Sequence, residues 1–80
     1  MKEDLVFSCL LELNSFTQQK GDIHVTQKKY KSGAAPFVNV TMTYSTEGFY
    51  FEAEGYAQQF NDACYEAKLK LLEQISVYLN

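Results

Sequence analysis

The chain has 80 residues, 46% of them hydrophobic and 15% aromatic, with a formal net charge of −3. That length holds one small domain, and the apolar content excludes a disordered chain, which lacks the residues to build a core. The negative balance excludes a general attraction to nucleic acid or to anionic membranes.

Leu5, Val6, Cys9, Leu10 and Leu13 recur at i, i+1, i+4, i+5 and i+8, one stripe of a helix. Asp4 suits its N-cap, and acids at its start suit the dipole. Asn14, Ser15 and Gly21 mark its decay, so the first helix is expected over residues 4–18. In Asp22–Tyr30, Ile23 and Val25 alternate with His24 and Thr26 before the segment turns polar. This predicts an edge strand, its lysines discouraging pairing with other sheets. Ser32-Gly33-Ala34-Ala35-Pro36 is a small-residue loop closed by proline. In Phe37–Tyr44, Val38, Val40 and Met42 alternate with Asn39, Thr41 and Thr43, a strand with one apolar and one wet face. Ser45–Gly48 is a short hairpin loop. Phe49–Glu54 follows as a third strand, with Phe49, Phe51 and Ala53 on one face and Tyr50, Glu52 and Glu54 on the other. Gly55 then leads into a second helix whose first turn offers Ala57, Gln58 and Gln59. Its main stripe is Phe60, Cys64, Ala67, Leu71, Ile75 and Tyr78, joined by Ala63 and Leu72. The expected fold is α+β in the order α-β-β-β-α, a three-stranded antiparallel sheet with two helices packed on one face, in a single domain over residues 1–80.

Charge is segregated along the chain. Lys20 to Lys31 carries four lysines and only Asp22, whereas Glu47 to Glu66 carries five acids and no base. Cys9 and Cys64 fall on apolar helical faces and are expected to be buried thiols in a reducing compartment, the alternative being a disulfide between the two helices. One histidine and two unclustered cysteines do not make a metal site. Lys2, Glu3 and Asp4 lead into an apolar run broken by Glu12, which is not a signal-peptide pattern, and no segment is long enough to span a bilayer. A soluble cytoplasmic protein with no membrane partner is therefore expected. Asn39-Val40-Thr41 matches the glycosylation acceptor pattern; lying in a predicted strand, it is read as chance.

Several stretches together resemble the double-stranded-RNA-binding domain. "LLEL" (Leu10–Leu13) looks like that family's helix-one segment, whose Glu, here Glu12, faces the RNA minor groove. "KYKSGAAPFVNVTM" resembles the loop between its first two strands, and "FEAEG" the end of its third strand. Phe60, Ala63, Cys64, Ala67 and Leu71 follow the apolar spacing of its second helix. The family grips phosphates with a lysine cluster at the start of that helix. Around Ala57 to Asp62 this chain has two glutamines, an asparagine and an aspartate instead. It also lacks the histidine that the family often carries between strands one and two. The resemblance therefore implies the fold without high-affinity duplex binding, and family members lacking those lysines commonly serve protein–protein contacts or dimerisation. "AEGYAQQFNDACYEAKLKLLEQI" is similar to the last strand and helix of ribosome hibernation factors. Those proteins begin with an additional strand and carry basic residues for ribosomal RNA that are missing here.

Two sets of candidate residues follow. Tyr65, Leu69 and Leu72 form a second apolar stripe on the second helix. With Tyr50 on a third strand that could pair with another chain, they suggest a surface for a homodimer or protein partner. Weak RNA or ribosome contact would use Glu12, the basic cluster Lys28, Lys29 and Lys31 interleaved with Tyr30, and the loop residues Ser32 and Gly33. The same lysines better suit an edge strand protected by charge, since exposed edges need such protection. His24 has no candidate nucleophile at a fixed offset, and Glu52 with Glu54 reads as a solvated acid pair unless a pocket joins them. No phosphate loop, nucleophile elbow or metal motif is present. No enzyme, cofactor or small-molecule substrate is expected.

Overall fold

The computed structural model describes residues 2–32 and 35–79, the side chains of Lys2 and Ser32 excepted. The elements run α1 (Lys2–Thr17), β1 (Asp22–Ser32), β2 (Ala35–Ser45), β3 (Tyr50–Ala57) and α2 (Phe60–Leu79). The strands form one antiparallel sheet in the order β1-β2-β3, and both helices lie over its apolar face. No strand precedes α1 among the described residues, so the extra strand of the hibernation-factor pattern is not seen.

α1 buries Cys9 and Leu13, with Leu5 and Leu10 packed beside them. It begins at Lys2, so Asp4 is no cap but stands with Glu3 in the first turn, where the helix dipole favours acids. Gln18 has a φ of 57°, a left-handed residue that ends the helix one position earlier than expected. Asn14 Oδ1 then accepts the Gly21 N–H at 2.9 Å and the Tyr44 hydroxyl at 2.8 Å. Tyr44 also bonds Thr17 Oγ1 at 2.9 Å. These bonds tie the end of α1 to the centre of the sheet.

The core is the expected alternation made three-dimensional. Val38, Val40, Met42 and Tyr44 of β2 and Ala53 of β3 are buried beneath Ala63, Cys64, Ala67, Leu71 and Ile75 of α2. Neither cysteine forms a disulfide and both are buried. Asn39 points away from the helices yet is only 7% exposed, its amide donating to the Gly55 carbonyl at 3.4 Å; a buried amide offers no glycan acceptor.

Two local expectations are corrected. Ser32, Ala35 and Pro36 are strand residues and not loop: β1 and β2 stay paired through Lys31↔Pro36 and Ser32↔Ala35. Stacking of Tyr30 on its cross-strand partner Phe37 favours that extension. β3 ends opposite Val38, so Pro36 sits where β2 has one neighbour only, a place where a missing N–H is tolerated. Gly33 and Ala34 lie outside the described residues. The second correction concerns Gly55, which does not introduce a helix. It is a buried β3 residue facing α2, and a Cβ there would overlap the Ala63 carbonyl oxygen and come within 2.9 Å of the Ala67 nitrogen. Its absent side chain lets the helix backbone approach the strand. Ala57 accordingly belongs to β3, Gln58 and Gln59 to the connector, and α2 begins at Phe60, its first turn opened by the Gln59 carbonyl accepting from Ala63 N–H at 3.1 Å.

α2 also covers the outer edge of β3. Glu66 accepts the Tyr56 N–H at 3.0 Å, Lys70 donates to the Glu54 carbonyl at 2.9 Å and Gln74 to the Glu52 carbonyl at 3.1 Å. Four helical residues advance about 6 Å and two strand residues about 6.6 Å, so the spacing 66-70-74 stays in step with 56-54-52.

Candidate functional site

Of the duplex-contact positions implied by the resemblance, the one on α1 is occupied internally. Glu12 does not stand free on α1; its carboxylate holds Lys68 Nζ at 2.9 Å. Lys68 lies mostly buried between the helices and 4.7 Å above the Tyr65 ring. Lys70 is taken by the β3 edge and by Glu66. Both lysines of α2 therefore serve the fold, and its first turn presents exposed Asn61 and Asp62. The Cys9 thiol, below this pair, is pushed above its ordinary pKa by burial; Lys68 opposes that shift and Glu12 adds to it.

On the outer side of α2, Tyr65 is 56% and Leu69 46% exposed, one helical turn apart. Leu72 is partly buried and packs against the core, because it lies on the seam next to the buried Leu71 and Ile75. It belongs to the periphery of such a surface. Tyr50 is exposed on β3, but the backbone at Glu52, Glu54 and Tyr56 is engaged by α2. Strand addition at this edge, expected from sequence, would have to displace Glu66, Lys70 and Gln74. α1 adds exposed Phe7 and Leu11, one turn apart, and Phe16. These were missed because the helix stripe drew attention only to the buried side; Phe7 and Leu11 are themselves i, i+4 apart.

The sheet face turned away from the helices brings together residues that sequence distance separates. Tyr30 stacks on Phe37 with ring centroids 5.0 Å apart and planes at 16°, and Phe37 lies 6.3 Å from Tyr56. Lys28 stands on the same face, Asn39 lying between it and Tyr56 in register. Lys29 and Lys31 take the alternate positions of the same edge strand, and all three lysines are exposed. Ser32 pairs with Ala35, while Gly33, the other loop candidate, lies outside the described residues. The Tyr56 hydroxyl donates to Glu54 Oε2 at 3.1 Å, which raises the phenol above its ordinary pKa. Phe37 and Tyr56 were not singled out from sequence. Their signal was parity, since Phe37 alternates in phase with Asn39 and Thr41, and Tyr56 with Glu52 and Glu54, but only register shows that they meet.

His24 and Glu52 flank Thr43 on this face, both exposed. Among the described residues no group of three or more His, Cys, Asp or Glu could hold a metal ion. An open cleft of about 450 Å³ lies elsewhere, lined by Phe51, Glu73, Gln74, Val77 and Tyr78. Among the described residues no helix is long and apolar enough to cross a membrane. Comparison with protein-family models, with curated proteins and with solved structures finds no match to this chain.

Proposed function

We propose that the chain is a non-enzymatic interaction module of the double-stranded-RNA-binding-domain type, docking a protein partner, a second copy first of all, through the outer surface of α2. The carrying observation is the exposure of Tyr65 and Leu69 one turn apart, with Lys68 held between them by Glu12 and by the Tyr65 ring. A fixed aromatic beside a leucine loses little conformational entropy on docking, which is how interface anchors work. The two α2 lysines that could hold phosphate are engaged, which favours a protein over duplex RNA as the partner of this helix. Sedimentation velocity at micromolar concentration tests the reading: a dimer is expected, and Leu69→Glu should return it to monomer. A strict monomer across that range overturns self-association through α2.

A second reading, weak RNA contact in a cytoplasmic setting, is favoured by the exposed lysines of β1. Glu12, already paired with Lys68, drops out of that contact set. Titration with a short RNA duplex at about 50 mM salt, where phosphate contacts are strongest, should show at most weak binding, and no shift there would remove duplex RNA as a ligand.

A further inference from the structure

The two-helix layer leaves the opposite face of the sheet uncovered, and that face is not uniformly polar. Its far end carries His24, Thr43, Glu52 and Tyr50; its near end, at the β1–β2 hairpin, gathers Tyr30, Phe37 and Tyr56. Tyr30 and Tyr56 are 42% and 50% exposed. Aromatic rings on a wet sheet face contribute nothing to the core of this domain, since the helices pack on the other side. A row of ring faces beside lysines is the arrangement that takes unpaired bases: each base presents a π-face to stack, and the lysines neutralise the backbone.

We propose that this face binds single-stranded nucleic acid, with two or three bases stacked on Tyr30, Phe37 and Tyr56 and the phosphates following the β1 edge, met by Lys28 on the face itself and by the exposed Lys29 and Lys31 from the other side of that strand. Charge sets the direction. At the hairpin end the nearest acid of the face, Glu54, stands on β3 with Glu52 beyond it, while Lys28 stands on β1 and the one acid of β1 on this face, Asp22, lies at its far end. The backbone therefore runs along the β1 edge while the bases reach inward across β2 towards Tyr56. Stacking is sequence-tolerant because it reads ring faces rather than base edges. A duplex is a poor ligand for the same site, because its bases are already stacked on one another and its second backbone would meet Glu52 and Glu54. The inference is independent of the α2 surface, which lies on the other side of the sheet.

The probe is a fluorescently labelled oligoadenylate of about ten nucleotides, titrated by anisotropy with the full chain at about 50 mM salt. Saturable binding is expected, with a log–log salt slope between about −0.7, for Lys28 alone, and about −2, if Lys29 and Lys31 reach the same phosphates round the edge. Tyr30→Ala and Tyr56→Ala should each weaken binding by roughly five- to a hundredfold. Tyr50→Ala, at the far end of the same face and 64% exposed, should leave it unchanged, and Lys28→Ala should make the slope shallower by about 0.7. Circular dichroism of each variant separates lost binding from lost fold, and Phe37 is left intact because it is partly buried. Absence of binding at that salt overturns the proposal, as does equal binding of a blunt duplex. So does binding indifferent to Tyr30 and Tyr56, or a sedimenting dimer that dissociates on Tyr30→Ala, which would give the face to a second copy instead.

Discussion

Gly55→Ala is the sharpest test of how α2 sits on the sheet. The backbone at Gly55 is not in the left-handed region, so alanine brings no conformational strain, and by itself would stabilise by about 0.4–1 kcal/mol through a stiffer unfolded chain. The steric term opposes this. The new methyl would overlap the Ala63 carbonyl oxygen and lie 2.9 Å from the Ala67 nitrogen. These are backbone atoms of a helix, which no rotamer change can move, so the cost belongs at or above the upper end of the ~1–3 kcal/mol typical of overpacking. The net loss is about 2 kcal/mol, which for a domain of this size lowers Tm by roughly 8–16 °C. Thermal unfolding followed by circular dichroism measures it. Gly48→Ala, where no atom lies within 4 Å, is the control and should be neutral or slightly stabilising. If Gly55→Ala melts within a couple of degrees of the parent, the close approach of α2 to β3 is wrong.

Further outcomes follow from the polar centre and the thiols. Tyr44→Phe keeps the buried ring but leaves Thr17 Oγ1 and Asn14 Oδ1 without their shared hydroxyl. It should cost about 1–3 kcal/mol, read as a lower urea midpoint at unchanged m-value, and an unchanged midpoint would show that this bridge contributes nothing. Cys9 and Cys64 are both buried, and burial raises the Cys9 pKa. An aromatic disulfide reagent at neutral pH should therefore modify them only as fast as the chain unfolds; immediate reaction of both thiols in the native protein would contradict their burial.

Element order, strand parity and the main core stripe were legible because they are periodic. Alternation in Phe37–Tyr44 placed Val38, Val40 and Met42 inside, and the spacing of Cys64, Ala67, Leu71 and Ile75 placed α2 over them. What failed depends on contacts between elements. Gly55 looked like a helix opening because a glycine after a strand usually permits a turn; its real constraint is the Ala63 carbonyl of a helix that had yet to be placed. Tyr78 belongs to the buried stripe by spacing, yet it is 56% exposed and meets Phe49 and Phe51 edge-on, because the strand beneath α2 starts only at Tyr50. Glu12 and Lys68 are 56 positions apart, and nothing local announces their pairing. The three-ring cluster was hidden for the same reason, since each ring has unremarkable neighbours in sequence and register alone joins them.

The covered edge of β3 can be separated from its charge. Tyr56 is at a sheet edge, where an amide would ordinarily exchange rapidly, but it donates to Glu66 at 3.0 Å. That bond, with Lys70 beyond it, holds the Glu66 carboxyl below its ordinary pKa despite opposing desolvation. A depressed folded pKa contributes stability that is present above the unfolded value and is lost as pH falls through the folded one. The contribution should therefore hold at neutral pH and disappear in acid, below the ordinary carboxylate range. Glu66→Gln keeps an acceptor without a titrating group, so it should protect the Tyr56 amide at every pH and remove this part of the acid dependence. Glu66→Ala removes the acceptor as well, and should speed exchange at Tyr56 while the central β2 amides keep their rates. Hydrogen exchange resolved by residue distinguishes the three proteins. If the parent Tyr56 amide exchanges at the unprotected rate, α2 does not close this edge, and β3 becomes available again for pairing with another chain.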